Sequence, residues 1–232
     1  MKKYTHIFFD LDHTLWDFER NSEEVLRELF VELGINTLGN FHFQDFIGHF
    51  RRIHHQLWDL YNHHQIDRQT IRSQRFELIR QALNVSENPI FEQLNEVYME
   101  LCPKKPHLMP YAAEILAYLA KKNYHLHIIS NGFEGIQRVK MESSGILHYF
   151  SNIITSESSA ARKPSKEIFD FALKESNARV QDALMIGDNL TTDIGGANNA
   201  GLDVIFYNPQ KLTHKAKVTF EISDLAQIED IL

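Results

Sequence analysis

The chain has 232 residues, 43% of them apolar and 24% charged, enough to bury a core without disulfides or a structural metal. Its net charge of −7 excludes a protein built to coat nucleic acid or an anionic membrane, although cations that converge locally can still hold one small anion. A single cysteine, Cys102, excludes an internal disulfide and suits a reducing compartment.

The first expected element is a strand at 5–9, THIFF. Lys2 and Lys3 before it resemble a charged leader, but the apolar run stops at Asp10. That is too short for a signal peptide or for the roughly 20 residues of a bilayer span, so a cytoplasmic location is expected. The run ends in Asp10, Leu11 and Asp12, with Thr14 two positions on. Side chains two apart on an extended segment point to the same side, so both carboxylates face one spot. Crowded anions hold a proton or attract a cation, and oxygen ligands favour a hard ion such as Mg²⁺. Taken alone, the pair suits a turn or helix cap equally well.

Residues 17–106 read as consecutive helices at 22–33, 43–63, 70–83 and 89–102, with no strand among them. A helical subdomain is thus inserted behind the first strand, and Pro103, Pro106 and Pro110 mark its return. His54, His55, Trp58, Tyr61, His63 and His64 share one of its helices. Adjacent histidines diverge on a helix and no HExxH spacing occurs, so packing or solvation is the reading there.

From 107 onward, strands at 126–129, 153–155, 183–186 and 204–206 alternate with helices at 112–122, 133–143, 166–176 and 193–200. The strands lack apolar–polar alternation, as in a parallel sheet covered on both faces. The expected fold is a doubly wound, Rossmann-like α/β core over 1–16 and 107–232, with the helical insert at 17–106. Ligands of such sheets bind beyond the carboxyl ends of the strands. Three further polar clusters stand there. Ser130, Asn131 and Gly132 supply a hydroxyl and backbone N–H groups suited to a phosphate. Lys163 follows Arg162 and precedes Pro164, with Ser165 as the expected cap of the next helix. In GDNLTTD, Gly187 permits a tight turn or close approach, Asp188 ends an apolar run, and Thr191 or Thr192 caps a helix that has Asp193 in its first turn. Acids for a metal, donors for an anion and a compensating lysine together equip a site for phosphoryl transfer.

This set resembles the haloacid dehalogenase superfamily of hydrolases, in its phosphatase branch. The motifs occur in order: DxDxT as Asp10, Asp12 and Thr14; the hydroxyl as Ser130; the lysine as Lys163; and the GDxxxxD acids as Asp188 and Asp193. The resemblance implies that Asp10 is the nucleophile, forming an aspartyl-phosphate, and that Asp12 is the general acid and base. It implies a Mg²⁺ held by Asp10, Asp188 and the backbone carbonyl of Asp12, with Asp193 orienting the site or holding a metal-bound water. Lys163, Ser130 and Asn131 would meet the phosphate, Thr14 would brace the loop, and the helical insert would act as a cap, with Trp16 at its hinge or entrance. The opening FFDLDHTLWDFE and the SNG motif look most like pyrimidine-type 5′-nucleotidases, whose substrate is a small phosphomonoester. A sugar-phosphate phosphatase or a phosphomutase is the alternative. A 2-haloacid dehalogenase fits less well, because family dehalogenases usually lack an acid at the position of Asp12.

Overall fold

The computed structural model describes residues 4–232, so Lys2 and Lys3 lie outside it. The chain forms two compact units, one running to Phe18 and resuming at Pro106, the other Glu19–Lys105. Among the described residues, no helix is long and apolar enough to cross a membrane.

The first unit is a six-stranded sheet in which every pairing is parallel. Its strands are β1 His6–Phe9, β2 His125–Ser130, β3 Phe150–Thr155, β4 Ala183–Gly187, β5 Asp203–Tyr207 and β6 Phe220–Ile222, in the order β3-β2-β1-β4-β5-β6. Helices α5 Ala112–Lys121, α6 Glu134–Ser143, α7 Lys166–Glu175 and α8 Gly196–Ala200 belong to this unit. Ile7, Phe8 and Phe9 are buried, as is all of β4, which is why neither strand alternates. Phe8, Met185, Val204 and Phe206 pack with Phe169 of α7 and Ala197 of α8 in one core. Burying a side chain such as Phe169 is worth about 1.5–3 kcal/mol.

Strand order reverses between β1 and β4, the switch point where doubly wound sheets open a crevice. Phe9 lies opposite both Ile128 and Ile186, and Asp10 N–H donates to the Ile186 carbonyl at 2.9 Å. The sheet register therefore brings Asp10, Ser130 and Asp188 to a common edge.

Three local expectations are corrected. The sheet gains β6, whose residues FEI make no apolar run and bury only Ile222 at the sheet edge. The helix expected from 193 is preceded by a π-helical turn, Leu190–Gly195, and only then does α8 begin. Its cap is Asn189, whose side chain accepts from the N–H groups of Thr191 and Thr192 at 2.9 and 3.0 Å, so neither threonine is the cap. Ser165 is the N-cap of α7, as expected, with its hydroxyl donating to the Glu167 carboxylate.

The second unit holds α1 Phe18–Glu32, α2 Phe43–Asn62, α3 Arg68–Ala82 and α4 Ile90–Leu101. Asp67 caps α3 by accepting from Thr70 N–H at 2.8 Å. Phe50, Phe76 and Tyr98 pack edge and face around Arg75, a buried guanidinium 4.8 Å from the Tyr98 ring.

At the other end of β2, His127 is buried, stacks on His6 and shares a 3.1 Å nitrogen contact with it. Burial, then repulsion from His6, lowers the His127 pKa to about 4. The unfolded chain then binds the extra proton first, so stability is lost as pH falls from about 6.5 towards 4, by up to about 3 kcal/mol. In thermal melts, His127→Leu should flatten that acid slope relative to wild type; parallel slopes would contradict the assignment.

Candidate active site

Lys163 is the centre of the site. Its Nζ donates to Asp10 Oδ1 and to Asp193 Oδ1, each at 2.6 Å, and it is only 2% exposed. Burial works against its charge, but the two carboxylates outweigh that and raise its pKa. The loop carrying it is set by Asn131, whose side-chain Nδ2 donates to the Lys163 carbonyl at 2.8 Å and whose Oδ1 accepts from the Lys163 N–H at 2.7 Å. The Asn131 side chain thus places the loop that carries Lys163.

Asp188 Oδ1 accepts from the Thr14 hydroxyl at 3.0 Å, and Asp193 Oδ2 accepts from Asn189 N–H at 3.0 Å. Gly187 is required between them, because a Cβ there would meet Asp193 Oδ2 at 2.3 Å. Carboxylate oxygens of Asp10, Asp188 and Asp193 lie within 4.8 Å of one another. Burial, followed by repulsion from Asp193 and Asp188, pushes the Asp10 pKa up to about 8 against the pull of Lys163. Burial and Asp193 push Asp188 up to about 7. A converging set of hard oxygen donors that resists ionising without a counter-charge fits a hard divalent cation.

Asp12 is treated differently. Its Oδ1 accepts from Lys140 Nζ at 2.6 Å and its Oδ2 from Gln137 Nε2 at 2.8 Å. Its carboxylate therefore stands outside the acid group of Asp10, Asp188 and Asp193; the ligand role expected for Asp12 is that of its backbone carbonyl. Burial opposes its charge, but attraction and hydrogen bonding from Lys140 prevail and lower its pKa. Gln137 Nε2 also donates to Ser130 Oγ at 2.6 Å, and Ser130 Oγ accepts from Gly132 N–H at 3.0 Å. The loop beneath is tightly closed. Leu15 and Trp16 N–H both donate to the Leu11 carbonyl, and His13 takes a left-handed φ of 64° between Asp12 and Thr14. Trp16 is buried, bridges to Leu108, and its ring lies 4.5 Å from Lys140 Nζ.

Sequence reasoning missed Gln137 and Lys140. Both are buried on α6, and their spacing of three puts them on one helix face. Long polar side chains in a helix usually mark its solvent face, so only their company, directly after SNG, signals otherwise.

Comparison with known proteins fits this geometry. A family model for haloacid dehalogenase-like hydrolases matches residues 4–201. The chain belongs to that family. Over its whole length it is similar to the pyrimidine 5′-nucleotidase YjjG of Escherichia coli, 31% identical over 99% of this chain and 98% of the relative. It is likewise similar to the pyrimidine 5′-nucleotidase PynA of Streptococcus pneumoniae, 28% identical over 99% and 95%. Among solved structures, the putative hydrolase YfnB of Bacillus subtilis, bound to magnesium, superposes with a TM-score of 0.87 at 26% identity, covering 99% of both chains. The chain is thus a haloacid dehalogenase-like hydrolase, and phosphoric monoester hydrolysis fits both its site and these relatives.

Protons would compete with a cation for Asp10 and Asp188, so metal binding at these acids would be linked to pH. Their folded pKa values are raised, so metal-free stability falls as pH rises from about 4 towards about 8. Added Mg²⁺ should raise the unfolding midpoint, and by more near pH 8 than near pH 6. A shift no larger at the higher pH would argue against a metal on these acids.

Proposed function

We propose that the protein is a Mg²⁺-dependent phosphomonoesterase that acts through an aspartyl-phosphate on nucleoside 5′-monophosphates, pyrimidine ones foremost. The observation that carries this is the separation of two carboxylates two residues apart. Asp10 lies in the acid cluster against Lys163, while Asp12 is held apart by Lys140 and Gln137 beside Ser130. A nucleophile and a proton carrier need such different surroundings.

In this reading Asp10 attacks phosphorus as the bond to the ester oxygen breaks, and Asp12 gives that oxygen its proton. Asp12 then takes a proton from the water that attacks the aspartyl-phosphate, which restores Asp10 and releases phosphate. Lys163 offsets the charge of Asp10 and of the incoming phosphoryl oxygens, and the Ser130 hydroxyl meets one of those oxygens. Mg²⁺ held by Asp10 and Asp188, with Asp193 beside them, would cancel the remaining repulsion between carboxylate and phosphate.

Two whole-length relatives named as pyrimidine 5′-nucleotidases support the nucleotide as substrate. The helical unit would be the cap. Sugar phosphates are the second reading, supported by a relative named glyceraldehyde 3-phosphate phosphatase from Methanothermobacter thermautotrophicus, 26% identical over 97% of this chain. Asp12 weighs against dehalogenation, since halide leaves without a proton.

The test is phosphate release from a panel of nucleoside monophosphates and sugar phosphates. With Mg²⁺, pyrimidine 5′-monophosphates should turn over fastest. Asp10→Asn or removal of Mg²⁺ should abolish release, a loss of at least about 10³-fold. No turnover of any phosphomonoester, or an Asp10→Asn variant as active as wild type, would refute the reading.

A further inference from the structure

We propose that Lys140 and Gln137 are positioning residues that fix the carboxylate of Asp12 for proton transfer to the leaving group. The inference rests on the phosphomonoesterase reading above and adds to it two residues that lie outside the four motifs.

The argument begins with donors. A carboxylate offers two lone pairs on each oxygen. Lys140 Nζ takes one on Oδ1 and Gln137 Nε2 takes one on Oδ2, so the plane and rotamer of Asp12 are fixed while each oxygen keeps a second lone pair for chemistry. Both donors come from α6, which leaves directly from the end of β2 where Ser130 stands. Their placement is enforced. Gln137 is fully buried, and a Cβ on Gly132 would meet its Nε2 at 2.3 Å, so glycine there makes room for it. Lys140 is 7% exposed and is backed by the Trp16 ring at 4.5 Å. Burying an ammonium and a primary amide against one carboxylate is costly unless each finds its partner, and Asp12 is the partner of both. Gln137 also donates to Ser130 Oγ, so one side chain ties the proton carrier to the hydroxyl meant for the phosphoryl group. The distance between those two groups is thereby held while the ester reacts, which is where sub-ångström placement matters most.

The chemistry served is the first half-reaction. The Asp12 proton moves to the bridging oxygen as the phosphorus–oxygen bond breaks and the Asp10–phosphorus bond forms. An alkoxide leaving group needs that proton; a nitrophenolate, stable as an anion, needs it far less. Loss of Asp12 positioning must therefore fall harder on alkyl esters than on aryl esters.

The experiment measures kcat/KM, which reports the steps through departure of the alcohol, for a nucleoside 5′-monophosphate and for p-nitrophenyl phosphate with Mg²⁺. Lys140→Met and Gln137→Leu should each lower the alkyl-ester value by about 10²-fold, and at least about tenfold more than the aryl-ester value. Lys140→Arg, which keeps a cation facing Asp12, should recover part of the alkyl-ester loss. Equal losses on both esters in Lys140→Met and Gln137→Leu would assign the pair a merely structural role and overturn the proposal, as would no loss at all. If one variant fails to fold, the other carries the same comparison. Failure of the wild type to hydrolyse either ester would instead refute the phosphomonoesterase reading, so the two failures are separable.

Discussion

Everything at the site depends on how the charge of Lys163 is shared. One buried ammonium faces Asp10 and Asp193 at 2.6 Å, with Asp188 close by. Three carboxylates against one ammonium leave two negative charges in a volume screened from water. One divalent ion neutralises them, whereas a second lysine would add bulk and a fixed distance in place of an exchangeable ligand. Without the ion, Asp10 and Asp188 tend to hold protons, as their raised affinities express. A pocket in that condition suits a cation, and on the proposed mechanism a bound cation would leave Asp10 an ionised nucleophile.

The fold delivers these groups by register rather than by loop length. β1 lies between β2 and β4, and Asp10 N–H is hydrogen-bonded to Ile186 at the end of β4. Any slip of β1 against β4 would separate Asp10 from Asp188 and also turn Phe8 and Phe9 onto the opposite buried faces, so close packing on both sides of the strand enforces the geometry of the site. Beyond the strands the chain departs from regular structure wherever a side chain must be aimed. His13 takes a left-handed turn between Asp12 and Thr14, and a π-helical turn carries Asp193 back beneath Gly187. Irregular backbone of this kind persists where the surrounding contacts over-determine it.

The same distinction explains what could be read from the sequence. Apolar runs that end abruptly in Asp10, Ser130 and Asp188 are visible because burial dictates the runs and chemistry dictates the residues that interrupt them. The insert was legible as helical for want of any strand-like run between 17 and 106. β6 was not, since an edge strand of three residues needs only one buried side chain, Ile222. Gln137 and Lys140 were hidden for the opposite reason. Periodicity assigns them to a helix correctly, but buried polar residues and solvated ones look alike until a tertiary partner such as Asp12 is known. The cap of the π-helical turn misled because Asn189, Thr191 and Thr192 are all competent N-caps within four residues, and geometry alone selects Asn189.

The treatment of Asp10 and Asp12 shows how one short loop can supply two unlike acids. Their side chains are two residues apart, yet burial among acids raises the proton affinity of one while Lys140 lowers that of the other. On the proposed mechanism, the lowered proton affinity of Asp12 would favour the carboxylate form in the absence of an ester, the form that would activate water in the second half-reaction. The first half-reaction needs the protonated form. A phosphate dianion arriving beside Asp12 supplies the missing influence: a nearby like charge raises a carboxyl group's proton affinity, and an incoming anion also competes for Lys140. Once the alcohol had left, the phosphoryl group would be bonded to Asp10 and closer to Lys163, with Asp10 and Asp188 the residues that would hold a charge-neutralising cation. The hold of Lys140 on Asp12 is then restored, and Asp12 is again a base when water must be activated. The same two donors thus serve both half-reactions, because what changes between them is the charge of the substrate and not the arrangement of the protein.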